Sequence, residues 1–237
     1  MLQTLARISL LPYTFAPAGW SFCDGQTLPI SENMELYELL RTSFGGDGEM
    51  TFAVPDLSAA APRGCHYCIS LFGYPEDGSN GFVGQTLISA TRENPRNMME
   101  CAGQSLQASQ YMALKDSMGA RFGGDGRQSI NLPDLRGRVP AGCRYMMFLH
   151  GEDTHSTRLE IYVGEIVLLP YEATTPVLRP CDGSVLPIEQ NKALFSLLRD
   201  RFGGDGKKTF AVPDLRAAAP PKFTYHISLR GVFAGPD

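Results

Sequence analysis

The sequence is short of positive charge. Its 21 Lys and Arg are outnumbered by 25 Asp and Glu, which gives a formal net charge of −4 at pH 7, and the basic residues do not cluster. A nucleic-acid surface needs a basic stripe that displaces counterions from phosphates. The composition therefore predicts that nucleic acid is not a partner. No apolar run is long enough to cross a bilayer, so we expect no membrane span.

Sequence signatures of catalysis are also missing. The chain contains no G-x-S-x-G, no P-loop and no H-E-x-x-H. An enzyme would need a nucleophile with a base, paired carboxylates or a cofactor loop. We predict that the protein is not an enzyme and that it uses no cofactor.

Turn-forming residues are plentiful. Among 237 residues there are 25 Gly and 17 Pro, while 43% of the chain is hydrophobic and 19% is charged. The apolar content is typical of a chain that folds around a core. The scattered Gly and Pro predict many turns between short elements.

The pentapeptide FGGDG occurs three times, and each occurrence leads to a Pro-Asp-Leu. Phe44, Phe122 and Phe202 begin the pentapeptides; each follows a cysteine by 21 positions and precedes that proline by 11. Ungapped matches of this kind indicate internal repeats. We predict three tandem modules, which we call copies one, two and three, at residues 1–75, 76–155 and 156–237.

The first nineteen residues resemble a secretory signal, because a basic residue precedes apolar ones. However, Leu10-Leu11-Pro12-Tyr13 reappears as Leu168-Leu169-Pro170-Tyr171, at the same offset from a Cys-Asp-Gly. We therefore expect this segment to belong to the fold and recognise no signal peptide. A location outside the cell, on a virion or a cell surface, would then be reached by lysis or through a dedicated secretion machine.

Each copy shows the same order of short elements, which predicts an α+β fold. A β-like run comes first, a cysteine-containing turn follows, and apolar residues at i, i+3 and i+4 then indicate a helix. The helix positions are Leu36, Leu39 and Leu40 in copy one, Leu114, Ser117 and Met118 in copy two, and Leu194, Leu197 and Leu198 in copy three. Ser31 and Ser109 stand where an N-cap is expected, with Glu189 as a weaker equivalent.

The glycines and the aspartate of FGGDG are predicted to form a structural turn. Gly45, Gly123 and Gly203 are expected to end the helices in the left-handed conformation. Asp47, Asp125 and Asp205 are expected to bond the local backbone. A calcium loop is the alternative, but it needs several oxygen ligands at close spacing and each loop offers one Asp. We therefore expect no metal at these turns.

The six cysteines allow two interpretations. Cys23 and Cys65 lie 42 positions apart, as do Cys101 and Cys143, which suggests two disulfides within copies and an oxidising compartment. Cys68 and Cys181 would then bond across a copy boundary or between molecules. The alternative is free thiols that act as small buried apolar residues, and spacing alone does not choose between the two. The single C-x-x-C, which ends at Cys68, lacks the second pair that a structural zinc needs.

The strings FCDGQTLPIS and FGGDGEMTFAVPDL in copy one, with LPDLRGRVPAG in copy two, resemble the bacteriophage tail collar domain. This domain also occurs in bacterial microcystin-dependent proteins. The resemblance covers the core of all three copies. It implies a domain near the end of a short tail fibre, where three chains assemble around a threefold axis. It implies no known catalytic residues, but a role in fibres, adhesion or assembly.

Three copies in one chain suggest a pseudo-threefold ring of modules, because a module of about 75–80 residues has a thin core of its own. The first functional hypothesis is a structural subunit of a phage-tail-like particle or a bacterial surface fibre. It would assemble with copies of itself or with paralogous subunits. The alternative is an adhesin module that binds a cell-surface receptor or glycan through residues 75–82, 92–99 and 151–159, loops that vary on a fixed scaffold.

Overall fold

A computed structural model describes residues 4–75, 81–91, 97–154 and 161–233. Copy one contains β1 (Thr4–Leu5), β2 (Ile8–Leu11), β3 (Trp20–Phe22), β4 (Thr27–Pro29), α1 (Met34–Leu40), β5 (Thr51–Ala53), β6 (His66–Ser70) and β7 (Tyr74–Pro75). Copy two contains β8 (Thr86–Ser89), β9 (Met98–Glu100), β10 (Ser105–Gln107), α2 (Met112–Met118), β11 (Ser129–Asn131) and β12 (Arg144–Phe148). Copy three contains β13 (Ile166–Leu169), β14 (Leu178–Pro180), β15 (Val185–Pro187), α3 (Lys192–Leu198), β16 (Thr209–Ala211) and β17 (Thr224–Ser228).

Each copy builds the same antiparallel three-stranded unit, with the order β2-β6-β3, β8-β12-β9 and β13-β17-β14. The register is equivalent as well, since Leu10 pairs with Tyr67, Ile88 with Tyr145 and Leu168 with Tyr225. A small antiparallel pair lies beside each unit, formed by β4 with β5, β10 with β11 and β15 with β16. Short helices and mostly antiparallel strands together confirm the predicted α+β class.

The first strands of the three units meet one another. β13 pairs with β2 through Ile166 and Leu10, and with β8 through Leu168 and Thr86. β2 and β8 also lie in contact. These contacts join the three units into one nine-stranded sheet. The copies are therefore packed together along corresponding strands.

The predicted helices are confirmed, although each is only seven residues long. Their buried side chains follow the expected spacing, with Leu36 and Leu40 in α1, Leu114 and Met118 in α2, and Leu194, Leu197 and Leu198 in α3. Leu39 and Ser117 are only partly buried. The largest hydrophobic cluster contains residues from all three helices, so the copies share a core.

The predicted helix ends are wrong at both termini. The N-caps are Asn33, Tyr111 and Asn191, because a 3-10 turn or a plain turn containing Ser31, Ser109 or Glu189 precedes each helix. The C-caps are Arg41, Gly119 and Arg199, with φ between 50° and 54°, four residues before the predicted glycines. Each helix ends early because its C-cap residue has positive φ, a backbone conformation that cannot continue a right-handed helix.

Within the described residues, no helix combines the length and the apolar character needed to cross a membrane.

Candidate functional site

The aspartate of each FGGDG turn binds the backbone of its own loop. Oδ1 of Asp47 accepts hydrogen bonds from the N–H groups of Glu49, Met50 and Thr51 at 2.9, 2.7 and 2.8 Å. Asp125 and Asp205 accept the equivalent three bonds. These bonds favour the charged carboxylate and lower the pKa of Asp47 from 3.8 to about 2. Each aspartate therefore bonds the backbone of its own turn.

The second glycine of the turn carries the strictest steric demand. A Cβ on Gly46 would lie 2.4 Å from Cα of Phe52, whereas a Cβ on Gly45 would meet only Cβ of Ala53 at 3.5 Å. Gly124 and Gly204 are equally crowded by the backbone opposite them. Both glycines have positive φ, which L side chains rarely adopt. The sequence singled out the first glycine, but the close approach is at the second.

The phenylalanine that opens each turn packs against a residue of another copy. A Cβ on Gly142 of copy two would lie 2.9 Å from the ring of Phe44, and a Cβ on Gly64 of copy one would lie 2.9 Å from the ring of Phe202. In copy three, Lys222 occupies the equivalent position, and its Nζ lies 5.8 Å from the centre of the Phe122 ring. The contacts thus run from copy one to two, from two to three and from three to one.

Hydrogen bonds form at two of the same junctions, between copies three and one and between copies two and three. Arg201 of copy three donates to the carbonyls of Pro12 and Gly64 of copy one, at 2.8 and 3.1 Å. Nζ of Lys222 donates to the carbonyl of Arg121 at 2.6 Å. Each contact satisfies a backbone carbonyl at a junction between two copies.

Three equivalent tyrosines meet where the first strands converge. Tyr67, Tyr145 and Tyr225 line one small cavity of about 30 Å³, large enough for one water molecule. Burial raises the pKa of Tyr67, and the hydroxyl groups of Tyr225 and Tyr145 raise it further. The neutral phenols therefore persist across the physiological pH range.

The same cavity contains a buried ion pair that the repeat does not preserve. Nη2 of Arg7 lies 2.9 Å from Oε1 of Glu165, and the two side chains are only 8% and 3% exposed. The hydroxyl of Ser9 donates to the same oxygen at 2.8 Å, and the N–H of Tyr162 donates to Oε2 at 3.1 Å. Gln85 holds the corresponding position in copy two and accepts from the N–H of Phe82 at 3.0 Å.

No sequence motif pointed to this ion pair. Arg7, Gln85 and Glu165 align at the position just before each first strand. The sequence feature that could have indicated the pair is a polar residue repeated next to an apolar run. Opposite charges at equivalent positions of a repeat suggest that the positions meet.

Comparison with known families gives the identity of the repeat. The model described as Phage Tail Collar Domain matches the chain three times, at residues 6–62, 84–140 and 164–220. The chain belongs to the phage tail collar domain family. No curated protein and no solved structure matches it. At the level of the family, it is a phage tail structural protein.

The collar copies hold their cysteines as free thiols, so the predicted disulfides are not found. Cys23, Cys65, Cys68, Cys101 and Cys181 are buried and Cys143 is partly buried, and all six are unpaired with sulfur. The spacing of 42 positions reflects equivalent places in two collar copies. Burial raises the pKa of the Cys23 thiol, and Cys68 and Cys143 of copy two raise it further. Burial raises the pKa of Cys68 to about 12, which keeps its thiol protonated.

The loops proposed for recognition fall largely outside the described residues, which leave out 76–80, 92–96 and 155–160. Trp20 is buried in the collar core, and its ring meets the Tyr162 ring edge-on at 5.7 Å. His150 packs against Tyr111 at 5.4 Å. Both aromatic contacts are internal packing.

Proposed function

We propose that the protein is a non-enzymatic structural part of a phage tail or tail-like particle, in which one chain forms a pseudo-threefold ring of collar modules. The observation that carries the proposal is the closed set of phenylalanine contacts. Phe44 of copy one contacts copy two, Phe122 of copy two contacts copy three, and Phe202 of copy three contacts copy one. A string of independent modules would leave at least one of these contacts open. We take the modules to be residues 1–75, 76–155 and 156–237.

Two further features support a threefold arrangement. The first strands β2, β8 and β13 each contact the other two. The equivalent residues Tyr67, Tyr145 and Tyr225 share one cavity. Fusing three modules removes the concentration dependence of trimer assembly, because the second and third modules are always nearby.

Small-angle scattering combined with light scattering on the purified chain tests the ring. We expect a monomer with a radius of gyration of about 18 Å, as for a single compact body of this length. An extended particle, or a trimer of chains, would contradict the proposal.

Association with copies of itself or with paralogous subunits is the second part of the proposal. Several large apolar side chains are more than half exposed, which favours contacts between molecules. These are Met34, Met50, Phe72, Tyr74, Met112, Val185 and Phe233. The assembly would form outside the cell or on the virion. Electron microscopy of the purified protein is expected to show regular stacks or filaments. Discrete particles at all protein concentrations would contradict self-assembly.

We also propose a recognition function, because one surface differs sharply between the copies. Copy three has a cavity of about 340 Å³ that contains Arg179 and Arg230. Copies one and two have aromatic rings at the position of Arg230, namely Phe72 and His150. A receptor or glycan at a cell surface would therefore be bound by copy three. Binding of the labelled protein to intact cells tests this function, and an absence of cell binding would contradict it.

A further inference from the structure

The cavity of copy three has the composition of a ligand site. It lies beside β14 and β15 and is lined by apolar, amide and guanidinium groups, including Leu186, Leu229, Gln190, Asn191, Arg179 and Arg230. Its volume of about 340 Å³ falls in the range of small-molecule pockets. Apolar walls with a few convergent polar groups suit a sugar, which presents C–H faces and hydroxyl groups.

The two guanidinium groups have no acidic partner. Among the described residues, neither Arg179 nor Arg230 forms a side-chain hydrogen bond or an ion pair, although Arg179 is partly buried. Other arginines of the chain are paired, as Arg216 is with Asp214 at 2.6 Å. Two unpaired cations that line one cavity favour the binding of an anion.

The counterparts of Arg179 and Arg230 are other residue types in the other two copies. In copy one, Ser21 replaces Arg179, and the ring of Phe72 lies directly over Gly19, within 2.0 Å of where a Cβ would stand. In copy two, Met99 replaces Arg179, and His150 stacks on Tyr111, which is the counterpart of Asn191. The residues at the positions of Arg179 and Arg230 therefore distinguish copy three from the other two copies.

We propose that this cavity binds the carboxylate or phosphate group of an acidic saccharide. The guanidinium groups of Arg179 and Arg230 hold the anion, and the amides of Gln190 and Asn191 bind neighbouring hydroxyl groups. The proposal rests on the recognition function and names its ligand class. It is separate from the ring, which the contacts of Phe44, Phe122 and Phe202 support.

Titration calorimetry on the whole chain tests the site with galacturonate, inorganic phosphate and neutral galactose. The test variant is Arg179→Met with Arg230→His, the residues of copy two. The control is Lys207→Gln with Lys208→Gln, which removes the same charge from an exposed turn whose backbone bonds do not involve these side chains. Circular dichroism checks that both variants fold.

We expect galacturonate or phosphate to bind the wild type and the control, and the test variant to bind about tenfold more weakly or worse. Whichever anion binds identifies the source, carboxylate or phosphate. Equal binding by the test variant, binding of galactose alone, or binding of no probe would overturn the proposal.

A second measurement separates this site from the wider recognition function. Retention on immobilised polygalacturonate is expected for the wild type and lost in the test variant. If the test variant were retained equally, recognition would survive and the cavity would be the wrong site. If galacturonate bound the cavity but no chain bound the polymer or intact cells, the anion site would stand and the recognition function would fail.

Discussion

At the scale of single residues, the repeated turn is stabilised by a carboxylate that accepts hydrogen bonds from the backbone of its own loop. Asp125 accepts three backbone N–H bonds, each 2.8 Å long. These bonds lower its pKa from 3.8 to about 2. A lowered pKa in the folded state means that the charged form stabilises the fold.

Replacing Asp125 with Ala is expected to lower the melting temperature at pH 7, because three N–H groups lose their acceptor. The difference from wild type is complete above the ordinary pKa of 3.8 and disappears as the pH falls through about 2. Thermal unfolding between pH 7 and pH 2 measures it. Asp125→Asn keeps an acceptor oxygen without a charge, so its melting temperature should depend less on pH than that of the wild type. A pH-independent difference for Asp125→Ala would contradict the assignment.

The two glycines of one turn provide a second residue-scale prediction. Gly46→Ala forces a Cβ to within 2.4 Å of Cα of Phe52, whereas Gly45→Ala meets nothing closer than 3.5 Å. Both substitutions share the strain of positive φ. We expect Gly46→Ala to be the more destabilising by about 1–3 kcal/mol, the cost of displaced backbone. Urea unfolding compares the two, and equal losses would contradict the steric argument.

At the scale of elements, the residue spacing within each copy predicted where the helices lie. It did not predict where the helices end or how the cysteines are paired. The helices and their buried faces followed from the positions of Leu36 and Leu40 and their equivalents. The helix ends did not, because Arg41 adopts positive φ and ends the helix before the glycine. The disulfides failed for a different reason. The shared spacing of 42 positions shows only that the cysteines occupy equivalent places in two copies, and the structure keeps them as free thiols.

The contact between Phe44 and Gly142 is an element-scale prediction. Gly142→Ala puts a Cβ 2.9 Å from the Phe44 ring, while Gly137→Ala, also at positive φ, meets nothing within 4 Å. We expect Gly142→Ala to destabilise the chain more than Gly137→Ala. Adding Phe44→Ala should remove most of that excess, because contacting residues couple by about 0.5–3 kcal/mol. Urea unfolding of the wild type, Gly142→Ala, Phe44→Ala and the double variant measures the coupling. Strict additivity would mean that the turns of copies one and two do not touch.

At the scale of the whole molecule, three copies of one sequence share a core and have diverged where they meet. Arg7, Gln85 and Glu165 occupy equivalent positions, and the first and third form the buried ion pair. Three identical chains could not place opposite charges there. The pair therefore depends on the copies being different segments of one chain. The pair adds little net stability, because the free energy lost when two charges leave water offsets most of their attraction.

The ion pair yields a prediction in which the double variant is more stable than either single one. Arg7→Gln or Glu165→Gln breaks a buried ion pair from one side, which costs about 3–5 kcal/mol. The double variant has glutamine at all three equivalent positions, because copy two already has Gln85 there. We expect it to recover most of the lost stability. Urea unfolding of the four proteins measures the free energies. The exposed pair of Arg216 and Asp214 is the control, because it is shorter at 2.6 Å yet screened by water, so Arg216→Gln should change stability little. Additive losses in the double variant would mean that Arg7 and Glu165 act independently.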